Sequence, residues 1–161
     1  MAFGVSVGRV LAAAMLAAAV LAGGCANQAA LDAGLSGSAV PGSPQEFQVA
    51  VGDRVFFETD SSALTPQARQ TLDRQVQWLT QYSSYAFVIE GHADERGTRE
   101  YNLALGARRA AAVRDYYIAR GVAAGRMRTI SYGKERPVAV CDDISCWSQN
   151  RRAVIVLQGT S

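Results

Sequence analysis

An α/β sandwich, with two main helices packed on one face of a four-stranded sheet, is the fold class that the sequence predicts. Three observations predict it. Strand-like and helix-like stretches alternate between about residues 52 and 157, each helical stretch gathers one set of residues on a single face, and Gly, Pro and Asp-Ser turns separate the stretches. The chain has 161 residues, 49% apolar and 19% charged, which fits one globular domain and excludes a disordered polyelectrolyte or a multi-span membrane protein.

Val55 and Phe57 on either side of Phe56 predict a strand near 52–58, followed by the turn Thr59-Asp60-Ser61-Ser62. Thr65-Pro66 opens a helix, with Thr as N-cap and Pro at the first helical position. Ala68, Leu72, Val76 and Leu79 then form its apolar stripe. Tyr85 to Glu90 reads as a buried strand ended by Gly91, and a second helix runs from about Thr98 to Arg120, terminated by Gly121. Met127 to Tyr132 and Ala153 to Leu157 supply the third and fourth strands.

Residues 1–24 carry one charge, Arg9, then an apolar run from Val10 to Leu21 and the small residues Ala22-Gly23-Gly24. This is the pattern of a signal peptide; the run is short for a bilayer span, which needs roughly 20 residues, so a retained anchor is the weaker alternative. Leu21-Ala22-Gly23-Gly24-Cys25 resembles a bacterial lipobox, although Ala22 stands where Leu is usual. Cys25 is therefore the expected lipidation site, and several acyl chains would make membrane attachment lasting. From Ala26 to Glu46 the chain is small and polar without periodicity, and is expected to be a flexible tether (residues 25–46 with the lipidated end), ahead of a domain over 47–161.

Sixteen Lys+Arg against fourteen Asp+Glu give +2, too balanced for nonspecific phosphate binding, so no nucleic-acid partner is expected. A single histidine, His92, argues against a His-rich metal site. Cys141 and Cys146 remain once Cys25 is lipidated; in an oxidising compartment they form a local disulfide, the alternative being two free thiols. So short a loop, Cys-Asp-Asp-Ile-Ser-Cys, contributes little chain entropy, and its role is to hold one loop shape. No metal and no cofactor is expected.

Gly91-His92-Ala93-Asp94-Glu95-Arg96-Gly97-Thr98 lies at the carboxyl end of the second strand, where α/β sheets gather ligand contacts. The helix behind it carries Asn102, Leu105, Arg109 and Val113 on one face. Asp94 and Arg109 thus present an acid and a base to one groove, a pair suited to a zwitterion: the carboxylate takes an ammonium and the guanidinium fork takes a carboxylate. A plain Asp94–Arg109 ion pair, or a loop-capping Asp94, satisfies the same pattern.

The run from Glu90 to Gly106, together with Asn102-x2-Leu105-Gly106-x2-Arg109-Ala110-x2-Val113, Ser131-Tyr132-Gly133-Lys134-Glu135-Arg136-Pro137 and Asn150-Arg151-Arg152-Ala153, resembles the OmpA-like domain family. Within that family it is most similar to the peptidoglycan-associated lipoproteins of Gram-negative bacteria. The likeness covers about residues 50–157; Glu58 departs from it, since the family more often has Asp there. The resemblance implies a mixed sheet and a non-enzymatic domain. It also implies that Asp94 and Arg109, with contacts from Asn102 and Asp60, hold the diaminopimelate of the peptidoglycan stem peptide without a covalent bond. It implies TolB as a partner, a Tol–Pal role linking outer membrane to wall during division, and, from Ala26 after Cys25, sorting to the outer membrane. Two rival readings remain: a periplasmic peptidoglycan hydrolase using Asp94 or Glu95 with His92, and a wall-anchoring lipoprotein outside the Tol–Pal system.

Overall fold

The computed structural model describes residues 39–159. Residues 1–24, expected as a signal peptide, Cys25 and most of the expected tether lie outside them. Two helical turns, Pro44–Glu46 and Phe47–Gly52, lead into strand β1 (Arg54–Phe56) and helix α1 (Pro66–Gln81). Strand β2 (Ala86–His92), helix α2 (Arg99–Ala119), strand β3 (Met127–Gly133), helix α3 (Ile144–Asn150) and strand β4 (Arg152–Gln158) follow. The sheet order is β1-β4-β2-β3. β4 runs antiparallel to β1 and β2, whereas β2 and β3 are parallel, so the sheet is mixed and α2 is the crossover that parallel pairing demands.

Register assigns the two faces. Val55 pairs with Ala153, Ile155 with Ile89, and Phe87 with Met127, so these six side chains share one face. All are buried in a single cluster with Leu72 and Leu79 of α1 and Val113 and Tyr117 of α2, which places both helices on that face. The opposite face leaves Phe56, Ile130 and Val156 exposed.

Local chemistry sets the helix ends. The Thr65 hydroxyl accepts from the Ala68 N–H at 3.1 Å and the Thr98 hydroxyl from the Tyr101 N–H at 3.2 Å, each satisfying a donor that the first turn leaves free. Past α2, Gly121 takes φ +88°, the left-handed conformation glycine adopts most cheaply.

Besides β2 running through Gly91 to His92 instead of ending at Gly91, the structure differs from the sequence expectation in three places. β1 is shorter than 52–58, because Gly52 at φ +90° still belongs to the preceding helical turn and only residues 54–56 pair with β4. Order also reaches back into the segment expected to be tether. Ser43 caps Pro44–Glu46, the Glu46 carboxylate accepts from the Trp78 indole N–H at 2.8 Å, and Phe47 is fully buried against Trp78. Finally, α3 was not anticipated. Its seven residues are too few for a periodic signal, although Asp143 before Ile144 is a cap residue and does accept from the Ser145 N–H at 2.7 Å.

Candidate functional site

Two glycines fix where the loop after β2 sits. A Cβ on Gly91 would overlap the carbonyl oxygen of Gly106 and lie 2.6 Å from its carbonyl carbon, so β2 and α2 meet backbone to backbone. The chain then turns through Ala93–Gly97 over the first turns of α2. Lys134 braces that turn from the end of β3, its ammonium donating to the carbonyls of Glu95 at 3.0 Å and Gly97 at 2.7 Å.

Arg109 lies beneath this loop, wholly buried. Its Nε donates to Ser61 O at 2.8 Å, Nη1 to His92 O at 2.8 Å and Nη2 to Glu58 O at 3.1 Å. One side chain on α2 thereby ties the Glu58–Ser61 turn to the end of β2. Of the five guanidinium N–H groups three are used, leaving one on each terminal nitrogen. Burial lowers its pKa to about 10, against the pull of Asp94, so Arg109 stays cationic at neutral pH.

Asp94 is 7% exposed and does not pair with Arg109. Its partners are Arg96, whose Nη2 lies 2.7 Å and Nε 3.2 Å away, and Arg151, whose Nη1 approaches to 3.4 Å from beyond α3. Burial works to raise the Asp94 pKa, but the Arg96 and Arg151 contacts prevail and hold it below the usual carboxylate value. The simple Asp94–Arg109 ion pair is thus absent, and the two groups stand as separately supported charges. Neither Arg96 nor Arg151 was singled out from sequence as an Asp94 partner. Arg96 was discoverable two positions downstream; Arg151 comes from 57 residues away and carries no local signal.

Asn102 is buried and donates its amide to Arg96 O at 2.7 Å, pinning the loop to α2. Asp60 occupies the left-handed region at φ +53°, tolerated by Asp better than by most side chains, and its carboxylate accepts from the Tyr101 hydroxyl. All four residues singled out from sequence, Asp60, Asp94, Asn102 and Arg109, line one cleft of about 230 Å³ with Arg96 and Tyr101. Two carboxylates, Asp60 and Asp94, and two guanidiniums, Arg96 and Arg109, line it. A larger concavity of about 410 Å³ is bounded by Phe56, Phe57, Glu58, Thr65, Gln149 and Arg151, and contains none of the four residues singled out from sequence.

His92 is not part of the cleft. Its side chain lies on the other face of β2, 2% exposed, with neither ring nitrogen hydrogen-bonded and Glu90 3.6 Å away. Burial, then the charges of Arg152, Arg136 and Arg54, lowers its pKa to about 4. A proton donor near neutral pH needs a raised carboxyl pKa, whereas Asp94 is lowered, and Glu95 is exposed with its carboxylate on the Trp147 indole N–H. The hydrolase arrangement of His92 with Asp94 or Glu95 is therefore not assembled.

The histidine has a measurable consequence. On unfolding His92 regains its ordinary pKa of 6.5, so the unfolded chain takes up a proton that the folded one refuses between pH 6.5 and about 4, and stability falls with pH across that window. Linkage sets the loss at about 2 kcal/mol between pH 7.5 and pH 5. Urea unfolding at the two pH values measures it; His92→Gln should remove most of the difference.

Among the described residues no group of three or more His, Cys, Asp or Glu side chains could hold a metal ion, and no helix is long and apolar enough to cross a membrane. Cys141 and Cys146 are joined in a disulfide, with Cα atoms 5.7 Å apart.

Residues 56–152 match the OmpA family, more than half of the chain. The chain belongs to that family. Among its relatives, the peptidoglycan-associated lipoprotein of Mesorhizobium japonicum is 65% identical over 152 residues, covering 91% of this chain and 88% of that one. That of Rhizobium meliloti is 68% identical over 142 residues, covering 84% and 81%. A crystal structure of the peptidoglycan-associated lipoprotein from Burkholderia pseudomallei superposes with a TM-score of 0.67 at 40% identity, over 72% of this chain and 100% of that one. The OmpA-family match begins at Phe56 and ends at Arg152, so it spans the β2 loop, α2 and every residue lining the cleft.

Proposed function

We propose that this OmpA-family chain binds peptidoglycan non-covalently, taking the zwitterionic end of the diaminopimelate side chain into the cleft between Asp94 and Arg109. The single observation carrying the reading is that Asp94 and Arg109 line one cleft without neutralising each other. An entering ammonium finds Asp94 ionised and Asp60 near it. The accompanying carboxylate faces the two N–H groups of Arg109 that no carbonyl takes, an arrangement suited to two parallel charge-assisted bonds. Asn102 serves by holding the loop. The contacts that support the reading are hydrogen bonds and ion pairs, and the Asp94 carboxyl is held below its usual pKa rather than raised as a proton donor needs.

The names of the relatives, peptidoglycan-associated lipoproteins, agree with this ligand and with an envelope location. We extend the reading to Cys25 as the lipid-bearing residue, to anchorage on the periplasmic face of the outer membrane, and to TolB as a partner within the Tol–Pal system. That extension rests on the lipobox-like leader and the sequence resemblance; co-purification with TolB tests its last part.

Sedimentation of the detergent-solubilised full chain with purified sacculi tests the ligand. The wild type is expected in the pellet and Asp94→Ala in the supernatant, since loss of a desolvated charged contact costs about 2–5 kcal/mol. Arg109→Leu should behave as Asp94→Ala does. Equal pelleting of all three contradicts the site.

A further inference from the structure

Arg151, the residue after the short helix α3, reaches Asp94, and the helix itself adds a second route to that carboxylate. Trp147, on its second turn, is half-buried and places its ring under the Arg96 guanidinium, 4.2 Å from the ring centroid to the guanidinium carbon. The same indole donates its N–H to the Glu95 carboxylate. Arg96 is the residue that grips Asp94 through two nitrogens, at 2.7 and 3.2 Å. A continuous line of contacts therefore runs from Trp147 through Arg96 to the carboxylate that lines the cleft. At its far end α3 is held twice: Asp143 caps it, and the Cys141–Cys146 disulfide closes the turn on which it starts. Asp94 is thus reached from two sides, by Trp147 of α3 through Arg96 and directly by Arg151, the residue after α3.

Among the described residues the Arg96 guanidinium hydrogen-bonds only to Asp94, and the Trp147 ring is the face it stacks on. Without the ring, an arginine whose side chain is 40% exposed would sample other rotamers, and the carboxylate would lose its fixed direction. A cation over an indole face is attracted by the ring's negative face, which holds the preferred rotamer.

We infer that Trp147 is a positioning residue of the peptidoglycan cleft, holding Arg96 so that the Asp94 carboxylate is aimed at the incoming ammonium. This rests on the ligand reading above. The groups facing Asp94 are Arg96 on its own loop, Arg151 beyond α3, Arg109 on α2 and Asp60 on the turn before α1. Loosening Arg96 weakens the contact that keeps Asp94 ionised and so moves the acid limb of ligand binding to higher pH.

The test is calorimetric titration of the full chain in detergent with a diaminopimelate-containing stem peptide, across pH 3–7. Trp147→Leu keeps bulk but has no π face and no N–H; it should bind roughly fivefold more weakly and shift the acid limb upward. Trp147→Phe keeps the face and should recover most of the affinity and the wild-type acid limb. Wild-type affinity and an unmoved acid limb in Trp147→Leu overturn the inference, provided Asp94→Ala loses binding in the same assay. Retained binding by Asp94→Ala instead overturns the ligand reading itself. A second measurement does not depend on the folding of Trp147→Leu. The wild-type chain labelled with 5-fluorotryptophan has two fluorine resonances, from Trp78 and Trp147, assigned with Trp147→Phe. The Trp147 resonance should move on peptide addition and that of core Trp78 should not; a stationary Trp147 resonance overturns the inference.

Discussion

Gly91→Ala is expected to destabilise the fold by about 3 kcal/mol or more, because the new methyl would sit inside the carbonyl of Gly106 and neither partner is a side chain that can rotate away. Both backbones are constrained. β2 is paired on both sides, to β3 and to β4, and Gly106 lies mid-helix in α2 with its own added Cβ 2.8 Å from Gly91 O. Relief requires α2 to lift from the sheet, taking Arg109 away from the carbonyls of His92 and Ser61. Urea unfolding should therefore show a lower midpoint in Gly91→Ala, while Gly125→Ala, whose Cβ would meet nothing within 4 Å, should stay within about 0.5 kcal/mol of wild type. Comparable stability of the two variants would mean that the helix is not held against the strand as described.

The elements that locate the site were legible because their signals are local. Thr65-Pro66 and Thr98 mark helix starts that the structure caps as expected, and Val55 and Phe57 turn inward around an exposed Phe56. Asn102, Leu105, Arg109 and Val113 share the buried face of α2, as their spacing requires. What escaped was everything whose partner is distant or is backbone. The three acceptors of Arg109 are main-chain carbonyls, which have no sequence identity, so a pairing with Asp94 was as natural an expectation as separation. Arg151 reaches Asp94 only because β4 lies between β1 and β2, a strand order that no local pattern encodes. Trp147 belongs to a helix of seven residues, too short for periodicity to reveal which way its ring points.

The second large effect concerns ligand selectivity. If Arg109 receives a carboxylate in the cleft, a stem peptide carrying lysine in place of diaminopimelate keeps the ammonium for Asp94 and lacks only the group that Arg109 reads. The two free N–H groups of a buried, cationic Arg109 would then be desolvated beneath a ligand that cannot satisfy them. Such a loss costs about 2–5 kcal/mol, or roughly 30- to several-thousand-fold in affinity. Asp60 and Asp94 alone would not distinguish the two peptides, since both offer the same cation. Parallel titrations of the full chain with the diaminopimelate peptide and its lysine counterpart therefore test the central claim most directly. The account predicts that binding of the lysine peptide falls by at least about 30-fold; equal affinity for the two peptides would contradict it.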